Sequence, residues 1–223
     1  MKLSSIATLR FGRCCRGLFF SQLIALFGLA AMVQAGEQDS AELFSTQCAS
    51  CHGTDAKGTA LAPALAGQQS DYLTRQLRHF KSGLRGAHDQ DRFGAQMVAI
   101  SGSLDDSAMA SVSAYVSQLP STGDSSAKSI SVNSNQRRGY TYYHSTCGGC
   151  HGGKAEGNPL LNAPKLTGLS VDYLERQIQH FATGIRGNHK QDRFGRQMAM
   201  MSKSLDKETL ADVLAFIAAQ PAP

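Results

Sequence analysis

Three things are scarce in this chain of 223 residues. Beyond position 15 there is no cysteine outside two short motifs, so an exported form of the protein has none left for a disulfide. No stretch alternates apolar and polar residues in the manner of a strand, which leaves an all-α fold. After the first 35 residues no run is long and apolar enough to cross a bilayer.

A fourth shortage is hidden by the formal net charge of +5. Met1 to Gly17 carries Lys2, Arg10, Arg13 and Arg16 with no acid, Leu18 to Met32 is largely apolar, and Val33-Gln34-Ala35 fits a small-x-small cleavage site. This predicts a signal peptide over 1–35 and a mature chain from Gly36; an uncleaved anchor is the alternative. Removing those four cations leaves 18 basic against 17 acidic residues, a net charge of +1. That excludes the strong positive field of a nucleic-acid binder. The remaining charge is unevenly spread: residues 36–120 hold six basic and nine acidic side chains, residues 121–223 twelve and eight. Such a split orients a molecule on charged partners, or is drift of solvated surface charge.

What is present is the motif Cys-x-x-Cys-His, twice: Cys48 to His52 and Cys147 to His151. Cysteines at i and i+3 share one helical face, so both thiols can add to the two vinyl groups of one porphyrin, and the following histidine then falls under the iron. The pattern therefore reads as two covalent haem c groups, with Cys48, Cys51, Cys147 and Cys150 as thioethers and His52 and His151 as axial ligands. A zinc half-site or a redox dithiol is the other reading of Cys-x-x-Cys, and a zinc site built from both pairs would leave the two histidines without a purpose.

The motifs belong to a longer repeat. A shift of 101 residues matches 18 of the 27 positions from Asp71 to Met97 with their counterparts from Asp172 to Met198. The chain is thus a duplicated domain, 36–120 and 136–223, joined by a small, polar linker over 121–135. Each copy predicts a short helix before the motif, carrying Phe44 or Tyr143. A middle amphipathic helix follows, with Leu73, Leu77 and Phe80 or Leu174, Ile178 and Phe181, stopped near Gly83 or Gly184. A last helix opens at the candidate N-caps Asp105 and Asp206 and runs to the prolines at 120 and 221.

The repeat also selects the sixth iron ligand. Met1 and Met32 leave with the signal, Met109 aligns with Leu210, and Met200 and Met201 align with Ala99 and Ile100. Met97 and Met198 alone recur, 45 and 47 residues after their histidines, and are assigned as the distal ligands. Histidine is the competing choice, since His79 with His180 and His88 with His189 are also paired. The first pair reads as polar or propionate-facing, the second as surface. Arg75, Arg85 and Arg92 recur as Arg176, Arg186 and Arg193; at least one per copy is expected to pair with haem propionates, with solvation of a helix face the alternative for any single one. A carbonyl near Pro63 or Pro164 is expected to accept the free N–H of the proximal histidine.

The Pro-x-Leu-x-Gly segments (Pro63 to Gly67, Pro164 to Gly168), the Tyr-Leu-x-x-Gln helices (Tyr72 to Gln76, Tyr173 to Gln177) and a methionine eight residues before the last cap complete the pattern. With these the mature chain resembles the dihaem cytochromes c of the c4 type. The resemblance implies two tandem class I cytochrome c domains, haem edges meeting at a pseudo-twofold interface, and a bacterial periplasmic electron carrier between quinol-oxidising complexes and terminal oxidases. Membrane contact is then peripheral only, through partners or an uncleaved signal. The segment Arg-Gly-x-His-x-Gln-Asp-Arg-Phe-Gly (Arg85 to Gly94, Arg186 to Gly195) is more elaborate than the family pattern and leaves the partner open. Two other functions fit the same residues: the cytochrome subunit of a larger oxidoreductase, or a dihaem enzyme acting on peroxide or a small sulfur compound. The enzyme needs an open iron or a spare nucleophilic cysteine, and no such cysteine survives signal removal.

Overall fold

In copy one, α1 spans 39–47, α2 Ala49–His52, α3 Ser70–Lys81, α4 Arg92–Gly102 and α5 Asp106–Gln118. Copy two follows the same order, with α6 Gln136–Tyr142, α7 Gly148–His151, α8 Val171–Thr183, α9 Arg193–Ser202 and α10 Lys207–Ala218. It adds a π-helical turn at Tyr143–Cys147 and a 3-10 turn at Pro159–Leu161. The computed structural model describes residues 39–121 and 135–221; the expected signal peptide, and the linker apart from its end residues, lie outside the described residues. Among the described residues there is no strand, only an isolated bridge between Asn158 and Ala163.

Local chemistry sets the helix limits. The expected caps of the last helices are in place: Asp105 accepts from the Ala108 N–H at 2.7 Å and Asp206 from the Thr209 N–H at 2.8 Å. The middle helix of copy two stops at Gly184, whose φ of 79° is open to glycine at little cost. The methionine-bearing helices α4 and α9 are the unexpected elements, because apolar spacing predicts no helix between the middle and the last one of each copy. Asp91 and Asp192 start them, accepting from the Gly94 and Gly195 N–H groups at 2.9 and 2.8 Å.

Each copy has its own core. Phe44, Leu73, Val112 and Val116 pack together in copy one, and Tyr143, Leu174, Leu210 and Val213 in copy two. Burial of each such side chain contributes about 1.5–3 kcal/mol relative to leaving it in water. In copy two α6 crosses α10 closely, and Gly139 is the contact: any side chain there would overlap the Asp212 carbonyl. Met109 is fully buried, as its alignment with Leu210 predicts, whereas Met200 is 70% exposed. Among the described residues no helix is long and apolar enough to cross a membrane.

Candidate functional site

The Cys-x-x-Cys-His motifs lie on α2 and α7, and the histidine at the end of each helix turns into the interior, 6% exposed in both copies. His52 Nδ1 donates to the Pro63 carbonyl at 2.8 Å, and His151 Nδ1 donates to the Pro164 carbonyl at 2.9 Å. A carbonyl oxygen can only accept, so Nδ1 carries the proton and Nε2 keeps its lone pair. Burial lowers the pKa of both imidazoles, against the carbonyl bond, and holds them neutral. A neutral imidazole with a fixed ring and a free Nε2 is prepared to bind a metal ion.

A single apolar cavity in copy one brings together Cys48, Cys51, His52 and Met97, walled by side chains such as Phe44 and Leu73. Four residues separated by up to 49 positions thus share one chamber with a thiol pair and an imidazole at one side and a thioether reaching it from α4. In copy two Cys147 is half-buried, Cys150 exposed and Met198 half-buried on α9, the position of Met97 on α4. The four motif cysteines form no disulfide, and before haem attachment burial pushes the Cys48 and Cys147 thiols up to about 11, with the neighbouring cysteine adding to it. Among the described residues no three His, Cys, Asp or Glu side chains gather into a metal-binding group, so the two cysteine pairs do not combine into a zinc site.

The cavity is not closed by copy one alone. Tyr173, Arg176 and Gln177 of α8 line it from the other copy, beside Gln76 and Arg85. Arg85 and Arg186 are each 8% exposed, so this repeated pair lies buried at the boundary and does not solvate helix faces. They form a closed ring with two glutamines. Gln76 Oε1 accepts from Arg85 and Arg186, both at 2.8 Å, and Gln177 Oε1 accepts from Arg85 at 3.0 Å and Arg186 at 2.6 Å. Tyr173 OH accepts from Arg85 at 3.1 Å. Burial alone would raise the Tyr173 phenol, and the adjoining Arg85 and Arg186 guanidiniums outweigh it and draw its pKa down. These two buried cations hydrogen-bond to neutral oxygens, with the Asp91 carboxylate adding its charge at Arg85, and have capacity for further anions nearby. Arg85 Nε, Arg75 Nε and Arg176 Nε are buried without a partner, donors still available to such anions. The apolar chamber, the lone-pair histidine and this cationic edge together fit a haem with its propionates.

The histidine pairs separate as expected. His88 is exposed beside Asp89, while His79 and His180 are largely buried and face Asp192 and Asp91 at 3.8 and 3.9 Å, each across the boundary between copies. The segment that looked elaborate for a carrier is interface: Arg85, Asp91 and Phe93, with Arg186, Asp192 and Phe194, all contact the other copy. Sequence alone could not separate polar residues in a buried seam from polar residues in water.

Comparison with known proteins agrees with this chemistry. The family profile described as cytochrome c matches twice, at residues 38–120 and 136–220. The cytochrome c4 of Azotobacter vinelandii is 27% identical over 203 residues, covering 87% of this chain and 95% of that protein. A thiosulfate dehydrogenase electron acceptor of Thiomonas intermedia is 30% identical over 218 residues, 92% of this chain and 91% of its own. The crystal structure of reduced cytochrome c4 from Pseudomonas stutzeri superposes with a TM-score of 0.65 at 26% identity, over 84% of this chain and 97% of that one. The chain belongs to the cytochrome c family, as a dihaem electron-transfer protein of the c4 type with two tandem class I domains and two covalently attached haem c groups.

Proposed function

We propose that Cys48 and Cys51, and Cys147 and Cys150, carry the two haems as thioethers, with His52 and Met97 as axial ligands in copy one and His151 and Met198 in copy two. The observation that carries this reading is the matched histidine bond to Pro63 and Pro164, with Met97 on the same chamber as His52. When bound, a His/Met haem exchanges one electron reversibly at a potential raised by the soft thioether. The protein's own part is to fix each imidazole, exclude water from the copy-one chamber with its apolar walls, and set Arg85, Arg186, Gln76 and Gln177 at the boundary between copies, where they would hold propionates. Mature domains at 36–120 and 136–223 joined by a linker over 121–135 accord with this division, as does export to the bacterial periplasm on the signal 1–35. The test is substitution of each methionine by histidine in the holoprotein. Met97→His and Met198→His should each remove the Met–iron charge-transfer absorption of one haem and lower that haem's potential; spectra unchanged in either variant would refute the assignment.

The relatives support two readings of the electron donor. Electrons passing from a quinol-oxidising complex to a terminal oxidase is the reading carried by the c4 resemblance. The similarity to a thiosulfate dehydrogenase electron acceptor favours a second one, in which the chain accepts electrons from a dehydrogenase that oxidises a small sulfur compound. The chain is then the cytochrome partner of that enzyme and carries no turnover of its own. Rapid reduction of the ferric protein by thiosulfate plus such a dehydrogenase, and none by thiosulfate alone, is the expected outcome.

A further inference from the structure

The two methionine-bearing helices are each gripped by the other copy. At the start of α4, Asp91 is 5% exposed; its Oδ1 caps Gly94 while its Oδ2 lies 3.9 Å from His180 Nδ1. Two residues on, the Phe93 ring lies under the Arg176 guanidinium at 4.5 Å. Copy two repeats the arrangement in reverse. Asp192, 4% exposed, caps Gly195 and faces His79 at 3.8 Å, and Phe194 lies under Arg75 at 4.9 Å. The histidine contacts, at 3.8 and 3.9 Å, are beyond hydrogen-bond length, and His180 Nδ1 has no hydrogen-bond partner. All four gripping residues come from the middle helices α3 and α8.

From Asp91 to Met97 is six residues, about 9 Å along one unbroken helix. Such a helix moves as a unit, so a shift at its capped end reaches the sulfur. We propose that Arg75 and His79 of copy one position Met198 of copy two, and that Arg176 and His180 of copy two position Met97 of copy one. Each haem's thioether is braced in trans. This rests on the assignment of Met97 and Met198 as ligands.

The bracing is unequal. Arg75 also donates to Asn162, to Oδ1 and to the backbone O, both at 2.9 Å. Asn162 precedes by two residues the Pro164 carbonyl that holds His151, so Arg75 spans the elements bearing both proposed axial ligands of the second haem. Copy one has the two-residue shorter loop there, with Leu61 in the place that aligns with Asn162 and no side-chain acceptor for Arg176. The second haem is therefore the more dependent on its neighbour.

The experiment uses the full holoprotein with the variants Arg75→Gln, His79→Gln, Arg176→Gln and His180→Gln, read by ferric charge-transfer absorption and stepwise spectroelectrochemistry. Met97→His and Met198→His mark which step belongs to which haem. Arg75→Gln and His79→Gln should weaken the charge-transfer band and shift the potential of the haem bound through Met198, leaving the other unchanged. Arg176→Gln and His180→Gln should do the reverse, with Arg75→Gln the largest effect of the four. Perturbation of the haem in the substituted copy itself, of both haems equally, or of neither overturns the proposal. If an arginine variant does not assemble, the milder histidine variants decide alone by the same criterion. Normal marker variants with arginine and histidine effects in cis sink the bracing only; marker variants that leave both bands intact sink the ligand assignment beneath it.

Discussion

At the scale of the residue, the ring Arg85–Gln76–Arg186–Gln177 concentrates the most chemistry in the fewest side chains. Two guanidiniums sharing two amide oxygens hold positive charge where the apolar chamber ends, and positive charge beside a haem favours its reduced form. Arg85→Gln should therefore lower at least one haem potential, by on the order of 60 mV, the one-electron equivalent of a tenfold change in equilibrium. Spectroelectrochemistry reads this directly, and an unchanged pair of potentials would contradict it. Arg85→Leu should also cost stability, about 1–3 kcal/mol for each glutamine acceptor left buried with too few donors, measured by denaturant unfolding. The residues of the motif were legible beforehand because their chemistry is fixed by spacing: a thiol pair followed by histidine, and a proline carbonyl expected near Nδ1. The ring was not. Tyr72, Gln76 and Arg85 are polar types that sit equally well in water, and the decision to bury them is made by a surface a hundred residues away.

Helices tell a similar story. The middle and last helices, α3, α5, α8 and α10, were readable from apolar spacing and caps, since each buries a stripe against its own copy's core. The methionine helices α4 and α9 carry too few buried apolar residues for that signal; Asp91 and Asp192 as N-caps were the available clue. Asp91→Ala should remove that cap at about 1 kcal/mol and loosen the α4 N-terminus, seen as a lower denaturation midpoint. The crossing of α6 on α10 makes a sharper expectation. Gly139→Ala forces a methyl group into the Asp212 carbonyl and should destabilise copy two by about 1–3 kcal/mol, an overpacking penalty.

The interface histidines give these contacts a pH dependence. Burial lowers the pKa of His79 and His180 below their ordinary 6.5, with Asp192 and Asp91 respectively working the other way. Below that value the unfolded chain binds more protons than the folded one, so stability falls as pH drops from 6.5 toward the lowered values and is flat above 6.5 on their account. Denaturant midpoints measured across that range should fall on acidification in the parent and less steeply in the double variant His79→Gln, His180→Gln.

For the whole molecule, duplication supplies one haem motif per copy, and Tyr173, Arg176 and Gln177 of copy two complete the wall of the copy-one chamber. The described residues from 40 onward form one compact unit. Gln68 seals the boundary by donating to the Lys165 carbonyl at 2.9 Å while accepting from the Lys165 N–H at 3.1 Å, a contact between segments 97 residues apart. The halves differ in charge, −3 for residues 36–120 and +4 for 121–223, and where docking is electrostatic such a split steers a charged partner to one half. Raising the ionic strength from 0.01 to 0.15 M shortens the screening length from about 30 to 8 Å, and electron transfer to a charged partner should slow accordingly. The most direct test of two His/Met haems working as one-electron carriers is a spectroelectrochemical titration of the mature holoprotein. Two one-electron steps are expected, with a Met–iron charge-transfer band in each ferric haem and no high-spin form at either oxidation level. A bis-histidine or high-spin spectrum, or a single electron per chain, would contradict it.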